Sequence, residues 1–288
     1  MTLALGAAQF GLDYGIANPD GKVSRSNVDA ILALSKIHGI DTIDTAKSYG
    51  DSEECLGNIG TKGFKLITKL PTVPKGGIDI GAWVSAQVSD SLEKLQIAQL
   101  DGVLLHNPSE LLSSTGKELY AQLCRLKNEG LAKKIGVSIY SPNELTLLLK
   151  NYSFDIVQAP FNLIDRRLST SGWLKRLHEA GVEIHTRSAF LQGLLLVTLA
   201  EVPDQFNRWG SIWKRWHRWL IEQDRSAVAA CLGFAFSFKE IDRVIVGVQS
   251  CQQLSEIIQG AQVVQSFDWP NIGCNDELLI NPSLWARR

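Results

Sequence analysis

The sequence reads Ile40-Asp41-Thr42-Ile43-Asp44-Thr45-Ala46-Lys47-Ser48-Tyr49-Gly50 where a short apolar run passes into a polar turn. The next run of this kind ends at Lys69, and the one after it ends at His106. An acid, a phenol, an ammonium group and an imidazole therefore follow three successive strand candidates. Because a closed parallel barrel brings the carboxyl ends of its strands to one face, we expect these four side chains to lie together there.

Eight short runs rich in β-branched residues alternate with longer segments of helical spacing along the chain. The runs are apolar throughout rather than alternating, as expected for strands that are buried on both faces. The eight predicted strands are residues 3–6, 42–44, 66–70, 102–106, 134–139, 156–160, 183–187 and 243–248.

Helical patterns separate most of these strands. Ser24 is a suitable N-cap for a helix that runs to about His38 and ends at Gly39, and Pro142 suits the first turn of another helix. Further helices are predicted over residues 83–95, 119–126, 174–180, 227–236 and 253–258.

This alternation predicts an α/β protein, a single-domain (β/α)₈ TIM barrel spanning residues 1–288. An open, doubly wound sheet is the alternative. Such a sheet would usually carry a Gly-x-Gly-x-x-Gly turn after its first strand, whereas Gly6-Ala7-Ala8-Gln9-Phe10-Gly11 lacks that spacing.

The connection after the seventh strand, residues 190–225, is unusually long and rich in tryptophan. Apolar residues share one helical face in it, and basic residues lie largely on the other. The apolar face holds Trp209, Trp213, Trp216 and Leu220, and the basic face holds Lys214, Arg215 and Arg218. We interpret this segment as an extra helix that packs its indoles onto the barrel. A lid over the site, a partner-binding surface and a membrane-surface helix are the alternatives. Residues 263–288 are expected to form a C-terminal tail near the face that carries the functional side chains.

The composition argues against several classes of protein. Lys plus Arg is 29 and Asp plus Glu is 30, a formal net charge of −1, so neither nucleic acid nor a membrane is expected as the partner. The first residues do not resemble a signal peptide, and no segment approaches the roughly 20 apolar residues of a membrane span. The five scattered cysteines lack metal-ligand spacing, which predicts reduced thiols, a cytoplasmic location and no metal.

The four strand-end side chains have the chemistry needed to protonate a carbonyl oxygen. A tyrosine, with a pKa of about 10, is mostly protonated at neutral pH and can donate. We expect Lys69 to stabilise the phenolate, Asp44 to hold Lys69 by an ion pair, and His106 to orient the carbonyl. Each residue alone has an ordinary structural explanation, as a turn, a rim lysine, a core histidine or a helix cap. The shared location at strand ends favours the chemical interpretation.

These segments resemble the aldo-keto reductases. The family motif Asp-Thr-Ala-x-x-Tyr-Gly-x-Ser-Glu matches residues 44–53, its Thr-Lys ending matches residues 68–69, and its Leu-x-His-x-Pro segment matches residues 104–108. The resemblance extends from residue 5 to about residue 258. It implies a (β/α)₈ barrel that reduces carbonyls with NADPH, or less often NADH, without a metal. It also implies that the catalytic tetrad is Asp44, Tyr49, Lys69 and His106.

The resemblance further implies a cofactor site with departures from the family pattern. Ser138 and Gln158 would hold the nicotinamide carboxamide, while Ile139 replaces the family's asparagine. Arg187 stands where the family often stacks an aromatic ring on the nicotinamide. We expect it to stack on the reduced ring or to turn toward the pyrophosphate, and an ion pair with Glu183 or Asp165 is the alternative. The remaining implied cofactor residues are Gly6, Ala7, Ala8, Asp44, Phe190, Gln192, Gly193, Gly247, Gln249, Ser250, Gln253 and Glu256.

Two of these segments would bind phosphates. Backbone NH groups of residues 190–193 would bind the pyrophosphate, and the loop after the eighth strand would hold the adenosine 2′-phosphate. The family's cations in that loop are replaced by Gly247 and Gln253. Only the general preference of the family therefore favours NADPH as the cofactor, and NADH is the alternative.

The substrate pocket is expected to be lined by Phe10, Tyr14, Trp83 and Asn107, and to accept aldehydes or ketones, including sugar-like ones. A regulatory or redox-sensing subunit that binds the nucleotide with little turnover is the alternative function. The sequence also lacks the family's usual N-terminal hairpin, which predicts an open or differently plugged barrel floor.

Overall fold

The structure, a computed structural model, describes residues 2–16, 18, 20–262 and 268–285. Its eight strands are β1 Thr2–Gly6, β2 Thr42–Asp44, β3 Lys65–Leu70, β4 Leu100–Leu105, β5 Ala132–Ser138, β6 Ile156–Pro160, β7 Glu183–Arg187 and β8 Arg243–Gly247. Its α-helices are α1 Ala8–Gly11, α2 Arg25–Ile37, α3 Ser52–Ile59, α4 Ile80–Leu95, α5 Gly116–Asn128, α6 Glu144–Asn151, α7 Arg167–Thr170, α8 Trp173–Glu179, α9 Gly210–Glu222, α10 Ala227–Phe236, α11 Cys251–Gln262 and α12 Glu277–Ile280.

The eight strands are parallel and pair in sequence order into a closed barrel. Closure joins β8 to β1 with Gly6 opposite Gly247, and β1 to β2 with Gly6 opposite Asp44. The predicted (β/α)₈ barrel is confirmed, and the strand ends differ from the predicted ones by at most two residues. The strands were predictable because helices cover their outer face, so the runs are apolar on both sides.

Side chains alternate between the barrel axis and the surrounding helices. Ile67, Leu104 and Ile156 form a small cluster separate from the large core between strands and helices. Residues two places further along a strand lie on the same face. Lys69 and Gln158 therefore project into the barrel above this apolar layer, at its carboxyl end.

Ion pairs lie at the amino ends of the strands, where the family's hairpin was expected to be missing. Lys65 pairs with Asp41 at 2.7 Å, and Lys133 pairs with Asp101 at 2.9 Å. Glu183 pairs with Lys134 and also lies 2.9 Å from Nε2 of the buried His185. In the part of the chain that the structure describes, charged side chains that pair with one another thus line the amino ends of these strands.

Helix α3 was not predicted from the sequence. It has only eight residues, among them Gly57, and its sequence SEECLGNI has a weak apolar pattern. A Cβ on Gly57 would lie 1.9 Å from the Lys94 carbonyl oxygen, so glycine permits the close approach of α3 to α4. Tertiary packing rather than the local pattern therefore stabilises this helix.

The Trp-rich segment after β7 forms α9 and packs its indoles inward. Trp213 and Trp216 are fully buried, and their indole NH groups donate to the carbonyls of Phe206 and Leu195, each at 3.0 Å. Lys214, Arg215 and Arg218 are exposed on the opposite face. These contacts agree with the interpretation of an extra packing helix.

The described part of the C-terminal tail contacts α9 and the loop after β6. Trp219 donates its indole NH to the Asp268 carbonyl at 3.0 Å, and the Cys274 NH donates to the Ile164 carbonyl at 2.9 Å. Residues 263–267 and 286–288 of the predicted tail lie outside the described residues. Among the helices that the structure describes, none has the length and apolar character needed to cross a membrane.

Candidate active site

Asp44 and Lys69 form a buried ion pair at the carboxyl ends of β2 and β3. Lys69 is 0% exposed and Asp44 is 4% exposed. Lys69 Nζ lies 2.6 Å from Asp44 Oδ2 and donates to the Thr45 carbonyl at 2.8 Å. Burial lowers the pKa of Lys69, and the charge of Asp44 opposes that shift. The sequence prediction that Asp44 would hold Lys69 agrees with this geometry.

The Tyr49 ring lies beside this pair. Lys69 Nζ is 5.0 Å from the centre of the ring. Burial, followed by the negative charge of Asp44, raises the pKa of the Tyr49 phenol well above its ordinary range. We expected Lys69 to make the phenol more acidic, but burial and the carboxylate of Asp44 determine the direction of the pKa shift. Tyr49 is therefore protonated throughout the neutral range.

His106 lies edge-on to Tyr49, with ring centroids 5.9 Å apart. Burial is the largest cause that lowers the pKa of His106 from 6.5 to about 4, and the charges of Lys69 and Arg187 add to it. The imidazole is therefore neutral at pH 7. Its Nδ1 lies 3.1 Å from the Ser48 hydroxyl. With Ser48 as the donor, Nε2 carries the proton and can donate it to an oxygen atom.

Ser48 was not identified as a functional residue in the sequence. It adjoins Tyr49 in the motif, but its contact with His106 joins positions 58 residues apart. A serine in a turn is unremarkable by composition, so only the fold reveals this contact.

Gln158 and Ser138 extend the buried pair. Gln158 Nε2 donates to Asp44 Oδ1 at 2.7 Å, and the Ser138 hydroxyl donates to Gln158 Oε1 at 3.0 Å. Both side chains are buried. They were expected to hold a carboxamide between them; in this structure Ser138 bonds to Gln158, and Gln158 bonds to Asp44. Both oxygens of Asp44 are thus occupied, one by Lys69 and one by Gln158.

Ser52 and Glu53, at the end of the motif over residues 44–53, hold the strand ends in place. Glu53 is buried and accepts a hydrogen bond from the Thr68 hydroxyl at 2.6 Å. The Ser52 hydroxyl donates to the Ala7 carbonyl at 2.9 Å and lies 3.1 Å from the Thr45 hydroxyl. These contacts join the carboxyl ends of β1, β2 and β3, which holds the strand ends that carry Asp44 and Lys69.

The adjacent ends of β1 and β8 carry no side chains. Gly6 and Gly247 lie opposite each other. A Cβ on Gly247 would lie 2.5 Å from Gln9 Oε1, so the Gln9 amide covers this position. The Ala7 NH donates to the Asp44 carbonyl at 2.9 Å, and Ala8 begins α1. The predicted residues Gly6, Ala7, Ala8 and Gly247 therefore lie on the same face as the tetrad, and Gln9 joins them without having been predicted.

The loop after β7 has a strained backbone. Ser188, Leu191 and Gln192 adopt left-handed conformations with φ of 63°, 48° and 53°. Such conformations cost free energy in residues other than glycine and are concentrated at functional sites. The Gly193 NH, expected to face a pyrophosphate, donates to the Phe190 carbonyl at 2.9 Å instead.

Gln192 also bridges this loop to the first one. Its Nε2 lies 3.2 Å from the Tyr14 hydroxyl. The loops after β1 and β7 therefore meet over the carboxyl face of the barrel.

The loop after β8 leads into the N-terminus of α11. Ser250 accepts from the Gln253 NH at 3.2 Å, and Gln253 Oε1 accepts from the Gln249 NH at 2.9 Å. The Gln249 Nε2 atom is buried without a hydrogen-bond partner. Glu256 is exposed one turn further and accepts from Gln252 at 3.2 Å. This loop thus presents amide and hydroxyl groups but no cation among residues 247–253.

Arg187 ends β7 and is half-buried. Its guanidinium carbon lies 4.7 Å from the centre of the Tyr140 ring, and one terminal nitrogen donates to the Ile139 carbonyl at 3.0 Å. The alternative of an ion pair with Glu183 or Asp165 is wrong. Glu183 pairs with Lys134 on the barrel floor, and Asp165 pairs with Arg167 at 2.8 Å.

The predicted substrate pocket is partly corrected. Phe10 is fully buried in the main core, because the single turn of α1 directs it inward, so it presents no surface to a ligand. Tyr14 is 38% exposed beside Gln192, and Asn107 is half-buried directly after His106. Trp83 packs partly against the core near the start of α4. No group of three or more metal-ligating side chains occurs within residues 2–16, 18, 20–262 and 268–285.

The chain is similar to known proteins over most of its length. The model of the Aldo/keto reductase family matches residues 2–268. The uncharacterized oxidoreductase YqkF of Bacillus subtilis is 26% identical over 245 residues, which cover 77% of this chain and 78% of that protein. L-glyceraldehyde 3-phosphate reductase of Escherichia coli is 25% identical over 213 residues, which cover 67% of this chain and 60% of that protein.

Solved structures share the fold. Aldo-keto reductase AKR11C1 from Bacillus halodurans, in its holo form, superimposes with a TM-score of 0.73 at 21% identity and covers 92% of this chain and 88% of its own. An aldo-keto reductase from Pseudomonas aeruginosa gives a TM-score of 0.68 at 24% identity, with 91% and 90% covered. With a family match over nearly its whole length and a closed eight-stranded barrel, this chain belongs to the aldo/keto reductase family of oxidoreductases.

Proposed function

We propose that this oxidoreductase reduces aldehydes and ketones, sugar-like ones among them, with NADPH as the cofactor. The observation that carries the proposal is the buried Lys69–Asp44 pair beside the Tyr49 phenol. A buried charge pair is costly to desolvate, and its position at the carboxyl end of a barrel is typical of a reactive site.

Tyr49 is the proton donor in this proposal. Its raised pKa keeps the phenol protonated at neutral pH, so a proton is always available for the carbonyl oxygen. Negative charge then develops on the phenol oxygen. The Lys69 ammonium, 5.0 Å from the ring centre, stabilises that charge from a water-excluded position.

His106 positions the carbonyl. A neutral imidazole whose Nδ1 faces Ser48 directs its Nε2 proton toward an oxygen acceptor beside Tyr49. A neutral donor is suited to this task because it does not add a further positive charge beside Lys69.

The side chains on the carboxyl face suit a nicotinamide dinucleotide. Three features support the fit: the side-chain-free ends of β1 and β8 at Gly6 and Gly247, the strained loop at Ser188, Leu191 and Gln192, and the buried Gln249 Nε2, which has no hydrogen-bond partner. When bound, a reduced nicotinamide supplies the hydrogen and the electron pair that the carbonyl carbon receives. Gly6, Gly247 and Gln249 are the residues we propose to hold it.

NADPH is the proposed form of the cofactor. The buried, unpartnered Gln249 Nε2 is a free donor beside the N-terminus of α11, and helix N-termini attract phosphate groups. Without a cation in the loop, we expect a modest preference for NADPH over NADH. Gln249→Leu is expected to reduce that preference in fluorescence titrations of both cofactors, and equal preference in the two proteins would contradict this role.

The activity test is direct. The purified protein is mixed with NADPH and a panel of aldehydes and ketones that includes glyceraldehyde and L-glyceraldehyde 3-phosphate, the compound in the name of the Escherichia coli relative. Loss of NADPH absorbance that depends on the carbonyl supports the proposal. Tight NADPH binding without turnover of any carbonyl would instead support a nucleotide-binding regulatory subunit.

The structure offers little to favour that regulatory role. The Trp face that could have received a partner is buried against the barrel.

The five free cysteines agree with the cytoplasmic location that we propose on sequence grounds.

A further inference from the structure

Arg187 is a cation at the carboxyl end of β7, and its hydrogen-bond partners are neutral. One terminal nitrogen donates to the Ile139 carbonyl at 3.0 Å, and the other approaches the Ser188 hydroxyl at 3.4 Å. The Tyr140 ring covers one face of the guanidinium. None of these three partners is a carboxylate.

The carboxylates that could have neutralised Arg187 are engaged elsewhere. Asp44 is held by Lys69 at 2.6 Å and Asp165 by Arg167 at 2.8 Å, while Glu183 lies at the opposite end of the barrel with Lys134. Within the described ranges, Arg187 forms no salt bridge. Because Asp44 and Lys69 neutralise each other, the pocket retains one positive charge.

This charge acts on the reacting groups. The positive charge of Arg187 contributes to lowering the pKa of His106, after burial and Lys69. It also opposes the rise in the pKa of Tyr49 that burial and Asp44 cause. Arg187 therefore lies close enough to the tetrad to act on a molecule bound there.

The Arg187 guanidinium has hydrogen-bond donors that the protein does not use. It has five N–H donors, and two of its nitrogens make one contact each, so most of its donor capacity stays free. Its contacts with Ile139 and Tyr140 hold the plane in place. A fixed guanidinium with free donors fits a carboxylate or a phosphate in a bidentate manner.

We propose that Arg187 binds an anionic group of the substrate, so that the preferred substrates are aldehydes bearing a carboxylate or phosphate near the carbonyl. The inference rests on the proposed carbonyl reduction and names its substrate class. The cofactor pyrophosphate is the competing anion. We favour the substrate because Arg187 is held against residues 139–140 after β5 and influences the tetrad. The Gly193 NH, which was expected to face the pyrophosphate, donates to the Phe190 carbonyl.

Matched substrates provide the test. Succinic semialdehyde is compared with its methyl ester, and glyceraldehyde 3-phosphate with glyceraldehyde, using kcat/KM with NADPH. The unmodified protein is expected to prefer the charged member of at least one pair. In Arg187→Met the charged-to-neutral ratio for that pair is expected to fall about 10- to 100-fold, the size of a lost charge-assisted hydrogen bond. Arg187→Lys keeps the positive charge but lacks the two parallel donors of the guanidinium. It is expected to retain part of the preference for the charged substrate.

Arg215→Met is the control for long-range charge, because Arg215 is exposed on the outer face of α9. It is expected to leave both ratios unchanged. NADPH affinity is titrated in each variant independently of turnover.

The outcomes separate the two proposals. If no carbonyl of any charge is reduced, carbonyl reduction itself fails. If the neutral and charged members are reduced equally well and Arg187→Met leaves the ratios unchanged, the inference is overturned while the activity stands. If Arg187→Met weakens NADPH binding without changing the ratios, Arg187 serves the cofactor and the inference is wrong.

Discussion

Gln158 Nε2 lies 2.7 Å from Asp44 Oδ1, although the two residues are 114 positions apart. Lys69 occupies the other oxygen, so the buried carboxylate has a partner on each side. Gln158 thus belongs to the support of the ion pair as well as to the face that would hold a nicotinamide.

Removing this amide should destabilise the protein. Gln158→Leu leaves Asp44 Oδ1 buried without a donor, which we expect to lower the free energy of unfolding by about 1–3 kcal/mol. Chemical denaturation measures the change. Ser138→Ala removes the next link and leaves Asp44 fully bonded, so it should have a smaller effect. An equal loss in the two variants would contradict the assigned order of the contacts.

The Lys69–Asp44 ion pair should contribute more to stability than the Gln158 amide does. Lys69→Met leaves the buried Asp44 carboxylate without its cation, and we expect the free energy of unfolding to fall by about 3–5 kcal/mol. Combining Lys69→Met with Asp44→Asn removes the unpaired carboxylate charge and should restore much of that stability. Reductase activity should be lost in the single variant and in the double variant. A double variant no more stable than Lys69→Met would show that the two residues do not act as a pair.

The strands and the clustering of the four side chains could be predicted because their signals are local. Each strand is apolar on both faces, and each of the four residues lies at the carboxyl end of a strand or in the turn that follows it, so chain order fixes the face on which it lies. Helix α3 could not be predicted because it is short and its apolar pattern is weak. The buried contact of Glu53 with Thr68 stabilises it instead.

The contacts between tetrad neighbours could not be predicted from local pattern. Ser48 with His106, Gln158 with Asp44 and Gln192 with Tyr14 join positions on different strands or loops. Phe10 was misassigned to the pocket because a sequence does not reveal which way a single helical turn faces. Arg187 could be noticed as a departure, but its lack of a carboxylate partner depends on where Glu183 and Asp165 find theirs.

The pKa of His106 predicts a distinct pH dependence. Burial, with Lys69 and Arg187, lowers it to about 4 in the folded protein, whereas an unfolded histidine titrates near 6.5. Between these values the unfolded chain binds a proton that the folded protein does not, so stability should fall as the pH drops from 6.5 to 4. Denaturation of the parent and of His106→Gln across this window should show the parent losing stability relative to the variant. Parallel curves would contradict the lowered pKa.

Tyr49→Phe separates chemistry from cofactor binding. Loss of the hydroxyl removes the proton donor, so carbonyl reduction should fall at least about 100-fold, the scale of general acid catalysis. NADPH affinity should stay within a few-fold of the parent, because the hydroxyl acts on the substrate. Steady-state kinetics and fluorescence titration measure the two quantities. Loss of cofactor affinity with unchanged turnover of bound substrate would show that Tyr49 has been misplaced.

Glu183 tests the ion pairs at the amino ends of the strands. Its hydrogen bond with His185 is the largest cause that lowers the pKa of Glu183, Lys134 adds to it, and burial opposes it, with the result near 2. An unfolded glutamate titrates near 4.3, so the stabilisation is complete above that pH and is lost as the pH falls toward 2. Glu183→Gln should therefore lower the unfolding free energy by about 1–3 kcal/mol at neutral pH, with the difference disappearing in acid.

The control for this variant is Glu179→Gln, because Glu179 is an exposed residue that pairs with Lys175 at 3.7 Å. That change should cost no more than about 0.5 kcal/mol at any pH. Reduction should persist in both variants, since the reacting groups lie at the opposite end of the barrel. If Glu183→Gln were as mild as Glu179→Gln at neutral pH, the contacts of Glu183 with Lys134 and His185 would not stabilise the fold as predicted.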